Sequence, residues 1–174
     1  MHKCDVFVKT GIDFCDAKDA LKHIGREMLC AGVVDITYPL ALLQREAEFP
    51  TGIMLESHAV AIPHCEAVHA LKPAIYLIRP NHPVSFFQAD GDTPVDALLI
   101  IALIVTQPAQ QLVLLRRLFG QLQDPNFIER LLQAPESQLA EMFKQQVFPE
   151  LSTVPDPTNT ITTTSETEHQ GALS

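Results

Sequence analysis

An α/β fold, with a mixed central β-sheet flanked by helices in a single domain, is what this sequence predicts, and three observations carry the prediction. Helical periodicity fills the first part of the chain, short apolar runs rich in β-branched residues occupy the middle, and helical periodicity returns from Pro108 onward, so helices precede and follow a sheet. The connections between the middle runs are too short for parallel crossovers throughout, which makes the sheet mixed. A chain of 174 residues is long enough for one sizeable core and short for two.

Each element has its own signal. In "DAKDALKHIGREMLCAG", Ala20, Leu21, Ile24, Met28 and Leu29 recur at helical intervals, with Asp16 placed to cap and Gly32 placed to stop. A second helix begins near Thr37, where Pro39 suits a first turn, and the spacing predicts an apolar face of Leu40, Leu43 and Ala47. Strands follow at "HAVAI", "AIYLIRP", "VSFF" and "ALLIIALIV". The last of these is uninterrupted in its apolarity, as in a strand buried on both faces. Three helical patterns then close the domain at "PAQQLVLLRRLFGQLQ", "DPNFIERLLQ" and "PESQLAEMFKQQVF". After Leu151 the composition changes: the last 23 residues contain ten Ser or Thr and no Lys or Arg. Such a segment has too little to bury to offset its ordering entropy, so residues 1–150 are expected to form the domain and 151–174 a disordered tail.

Composition excludes several classes of function. Twelve Lys and Arg against 21 Asp and Glu leave a net charge of −9, and without a basic cluster a nucleic-acid partner is not expected. Hydrophobic residues make up 47% of the chain, yet no apolar run approaches the length of about 18 residues needed to span a bilayer. The N-terminal "MHKCDVFVKTG" lacks the pattern of an export signal, so a cytoplasmic location is expected. Cys4, Cys15, Cys30 and Cys65 show no paired spacing and are expected as free thiols in a reducing compartment.

The chemistry concentrates at "AVAIPHCEAVH", where an apolar strand runs into Pro63 and His64. Proline fixes its own φ and holds Ile62 extended, so His64 leaves a stiff backbone. Three readings of this histidine are open. It could be structural, satisfied by a backbone carbonyl, the commoner fate of a histidine at a strand end. It could ligate zinc with His58, Cys65 or His69, although a shared strand would hold His58 and His64 roughly 20 Å apart. Or neutral imidazole could present one lone pair as a nucleophile toward phosphorus. Cys65 reads as a small buried residue beside the site, and His69 as a surface residue.

"REAEFPTGI" followed by "AVAIPHCEA", together with the helix "QLVLLRRL", resembles the enzyme IIA domain of the fructose and mannitol type in the bacterial phosphoenolpyruvate-dependent sugar phosphotransferase system. The resemblance covers residues 5–148 and is closest to the galactitol-specific branch. It implies a phosphocarrier in which His64 accepts a phosphoryl group on Nε2 from the carrier protein HPr and passes it to a cysteine of the cognate enzyme IIB, while Arg45 of the "RE" pair holds phosphoryl oxygens. Where many mannitol-type members carry a second histidine, this chain has Gln111, which can hydrogen-bond a phosphoryl oxygen but cannot be a cation. The interval from Arg45 to His64 is a few residues longer than usual in the family, and Glu56-Ser57 stands where many members have Leu-Gly. The family needs no metal or cofactor and does not itself touch the sugar. No Gly-rich "GxxxxGK" loop occurs, which argues against ATP as donor. The alternatives are a regulatory module that keeps this fold and senses phosphorylation, and a partner protein with a dead site, against which the intact Arg45, Glu46 and His64 argue.

Overall fold

In the computed structural model, which describes residues 4–90 and 92–149, a six-stranded mixed sheet lies between two helical layers. The strands are β1 (Asp5–Ile12), β2 (Gly52–Met54), β3 (Ala59–Ala61), β4 (Ala74–Pro80), β5 (Val84–Phe87) and β6 (Pro94–Ile104), and the helices are α1 (Ala17–Cys30), α2 (Tyr38–Glu48), α3 (Pro108–Leu122), α4 (Pro125–Gln133) and α5 (Glu136–Val147). The order is β1-β4-β6-β3-β2, with β5 also paired to β6. β1 with β4 and β3 with β6 run parallel; β4 with β6, β2 with β3 and β5 with β6 run antiparallel. The expected tail lies outside the described residues.

Side-chain alternation along the central strands sorts the core into two halves. Ile75 and Leu77 of β4, with Leu99, Ile101 and Leu103 of β6, pack with α3, α4 and α5. Their neighbours Tyr76, Ile78, Ile100, Ala102 and Ile104 pack with α1 and α2. A period of two with apolar residues on both faces is the pattern of a strand covered on each side, and each large side chain buried this way is worth about 1.5–3 kcal/mol.

The ends of α1 form as the sequence predicts. Asp16 Oδ1 accepts from the Asp19 amide at 2.8 Å. Gly32 stands at φ +73°, and the amides of Gly32 and Val33 return to the carbonyls of Leu29 and Met28, closing the helix with a Schellman motif. Pro39 lies in the first turn of α2.

Two expectations are corrected. The strand set omits β1, whose "DVFVKTGI" pairs in parallel with β4, and the three-residue β2. On α2, Leu40 is 62% exposed and Ala47 is also exposed; the buried stripe is Tyr38, Leu42 and Glu46. A carboxylate occupies a core position, so counting apolar residues selects the wrong face.

Candidate active site

His64 follows a segment pinned from two sides. The Ile62 amide donates to the Thr51 carbonyl at 3.2 Å, and the Leu103 amide donates to the Pro63 carbonyl at 3.0 Å. The half-buried imidazole places Nδ1 2.7 Å from the Ile62 carbonyl. A carbonyl only accepts, so Nδ1 carries the proton and the neutral ring keeps its lone pair on Nε2. Burial lowers the pKa of His64, the Ile62 bond raises it, the Arg45 charge lowers it and Glu66 raises it, with a net shift downward. With the proton on Nδ1, the neutral form of the ring has its Nε2 lone pair available to an electrophile.

The Thr51 end is held by Glu46. Its buried carboxylate accepts from the Thr51 amide at 2.9 Å and from the Thr51 hydroxyl at 2.8 Å, and burial raises its pKa against those two bonds. Glu46 therefore positions, through Thr51, the strand that ends at His64. Gly52 beside it lies so close to the Phe87 carbonyl that a Cβ would come within 2.6 Å.

Arg45, in the last turn of α2, lies over the Phe49 ring at 4.3 Å and has Nη1 3.4 Å from Glu66 Oε1. Both charges of that pair are substantially exposed, so the ion pair is worth at most about 1 kcal/mol. A phosphoryl group can compete for the guanidinium. Gln111 donates from Nε2 to the Cys65 carbonyl at 2.9 Å, bracing the residue after His64. Cys65 is buried, and burial pushes its thiol up to about 12, which suits a packing residue.

The remaining histidines have separate partners. His58 Nε2 meets Glu129 Oε1 at 2.5 Å, and His69 Nδ1 meets the Thr37 hydroxyl at 2.8 Å. Among the described residues, no three of His, Cys, Asp and Glu gather to hold a metal ion.

His64 opens into a cleft of about 580 Å³ whose walls include Phe49, Ile53, Leu115, Arg116 and Phe119. Arg45, Glu66, His69 and Leu40 line a neighbouring hollow of about 420 Å³. A third, apolar hollow of about 270 Å³, lined by Cys4, Val113 and Phe148 among others, contains none of these site residues. The α3 wall belongs to the helix "QLVLLRRL", in which nothing local to the pair Arg116-Arg117 marks Arg116 as facing a cleft. No described helix is long and apolar enough to cross a membrane.

Residues 4–146 match the family described as phosphoenolpyruvate-dependent sugar phosphotransferase system, EIIA 2. The chain is 59% identical over 144 residues to the PTS system galactitol-specific EIIA components of Escherichia coli K12 and O157:H7, spanning 83% of this chain and 96% of each relative. It is similar in fold to the crystal structure of IIA mannitol from Escherichia coli, with TM-score 0.62 and 23% identity over 79% of this chain and 94% of that one. The complex of enzyme IIA mannitol with phosphorylated enzyme IIB mannitol from the same species gives TM-score 0.62 at 22% identity, covering 79% and 92%. The nitrogen regulatory protein IIA-Ntr from Neisseria meningitidis gives TM-score 0.59 at 22% identity, covering 75% and 88%.

Proposed function

The chain belongs to the EIIA type-2 family of the phosphoenolpyruvate-dependent sugar phosphotransferase system and is a phosphotransferase component, and from that premise we propose that His64 is its phosphoryl acceptor, charged by phospho-HPr and discharged onto a cysteine of an enzyme IIB. The observation that carries the reading is the 2.7 Å contact between His64 Nδ1 and the Ile62 carbonyl, beside a cleft open to a partner.

In the first step the Nε2 lone pair attacks phosphorus. The Nε2–P bond forms as the P–N bond to the donor imidazole breaks, and that imidazole leaves with the electron pair. His64 keeps its Nδ1 proton, and the Ile62 carbonyl stabilises the positive charge that develops on the ring. In the second step a partner thiolate attacks, the S–P bond forms, the Nε2–P bond breaks and the neutral imidazole is regenerated. A ring that is cationic while phosphorylated leaves readily, so the same carbonyl contact serves both directions. Arg45 holds equatorial phosphoryl oxygens, for which a guanidinium fork is well shaped. Gln111, with one N–H on the Cys65 carbonyl, has its other N–H for a phosphoryl oxygen.

The relatives named as galactitol-specific, at 59% identity, support galactitol as the sugar whose uptake is served, on the cytoplasmic side of a membrane partner. They favour transport over a regulatory role, because the likeness to the nitrogen regulatory protein is one of fold alone.

Incubation with labelled phosphoenolpyruvate, enzyme I and HPr should add one acid-labile, base-stable phosphoryl group, and His64→Ala should abolish it. Arg45→Ala should slow uptake by roughly 30- to 1,000-fold, the effect of about 2–4 kcal/mol at a phosphoryl transition state. Full labelling of the His64→Ala protein would overturn the assignment, and Arg45→Ala kinetics within threefold of the parent would remove Arg45 from the site.

A further inference from the structure

We propose that Arg116, on the α3 wall of the His64 cleft, is a second phosphoryl-binding guanidinium that closes on the oxygens of phosphorylated His64 from the side facing α3. The proposal rests on the reading of His64 as phosphoryl acceptor. It deepens that reading by naming a second cation for the same phosphoryl group.

Charge balance motivates it. A phosphoryl group brings roughly −1.5 to −2 charges near neutral pH into a chain whose net charge is already −9. Arg45 is one cation, and Glu66 Oε1 already stands 3.4 Å from its Nη1. Gln111 supplies no charge, and its amide is directed at the Cys65 carbonyl.

Arg116 lines the same cleft as His64. Its side chain is exposed, and among the described residues it makes no hydrogen bond or ion pair. The adjacent Arg117 is occupied elsewhere, donating to the Val147 carbonyl at 3.5 Å with its guanidinium 6.0 Å from the Phe148 ring. Two neighbouring arginines thus differ: one ties α3 to α5, and the other stands exposed on the cleft wall.

The helix leaves room for that reach. Gly120 stands one turn after Arg116 on the same face and also lines the cleft. A Cβ at Gly120 would meet nothing within 4 Å, so no packing constraint requires a residue that weakens a helix interior. Its effect is to keep the wall beside Arg116 bare, where an unbranched guanidinium stem can swing toward Nε2.

The test uses the full chain, HPr and enzyme I, and compares the parent with Arg116→Gln and Arg116→Lys. Two quantities are read: the equilibrium partition of phosphoryl groups between HPr and this protein, and the ³¹P NMR titration of the phosphorylated protein separated from its partners. Arg116→Gln should shift the partition about tenfold toward phospho-HPr, as expected for loss of one charge-assisted hydrogen bond at an exposed site, and should move the phosphoryl titration to higher pH. Arg116→Lys should restore part of both. An Arg116→Gln protein that matches the parent in partition and titration overturns the proposal. Slower transfer with both quantities unchanged also overturns it, and makes Arg116 a partner-docking residue instead. Failure of the parent to label, or labelling of His64→Ala, sinks the underlying acceptor reading whatever Arg116 does, so the two failures are told apart. Arg116 is exposed, so its variants should unfold at the parent temperature, and that measurement accompanies each of them.

Discussion

At His64 burial disfavours the imidazolium and the Arg45 charge acts with it, while the Ile62 carbonyl and Glu66 oppose them without cancelling the shift. In the proposed acceptor role His64 needs its Nε2 lone pair for phosphoryl uptake, so the rate should hold as pH falls below about 6.5, the ordinary histidine value, and drop only through the lowered value in the folded protein. Stability follows the same sign. The fold prefers the neutral ring, so this contribution is fully present above the ordinary histidine value and is lost as pH falls through the lowered one. His23, also lowered chiefly by burial, adds in the same direction. Ring NMR titration alongside uptake rates measures both, and a folded-state midpoint at or above the ordinary value would falsify this account. The placement of His64 at a stiff strand end was legible in the sequence because a proline-stiffened apolar strand leads to it. Glu46 as a buried anchor was not, since its burial depends on Thr51 supplying two donors. Arg116 was not either, because an arginine on a helix reads the same whether it faces bulk water or a cleft.

Among the elements, those with strong periodicity were legible and those decided by pairing were not. The two faces of β4 and β6 follow from uninterrupted apolar runs, and α1 from its spacing and caps. β1 carries Asp5 and Lys9 among its apolar residues and is at best half-buried; its strand character comes from the ladder to β4, which no local signal announces. β2 is three residues long, too short for any period to register. Two glycines in these elements predict opposite outcomes. Gly52→Ala puts a Cβ 2.6 Å from the Phe87 carbonyl oxygen and 3.0 Å from Val95 Cγ2, so backbone must shift, and a loss of about 1–3 kcal/mol is expected. Gly120→Ala meets nothing and should stabilise α3 by about 1 kcal/mol while slowing phosphoryl exchange with partners, because the added methyl projects into the cleft. Urea unfolding of both variants reads the stability terms, and a stabilised Gly52→Ala or a destabilised Gly120→Ala would show that the packing around that glycine has been misread.

For the whole molecule, the question is how much of the chain the carrier requires. The two halves of the core are complete by Phe148, the family match ends at residue 146, and the galactitol-specific relatives align over 96% of their own length while using 83% of this chain. The surplus is therefore concentrated in material that those relatives lack. Residues 152–174 contain ten Ser or Thr, no helical period and few apolar anchors of the kind that dominate binding energy. A phosphocarrier must also release each partner, which favours a modest interface built around His64 over an additional clamp. A chain ending at Leu151 should accordingly keep the parent's thermal midpoint and accept phosphoryl groups from HPr at the parent rate. Transfer onward to enzyme IIB separates the two roles the tail could have. If that step alone slows by more than tenfold on truncation, while folding and uptake from HPr stay intact, residues 152–174 form a docking element for enzyme IIB, and the domain boundary near residue 150 no longer bounds the functional unit.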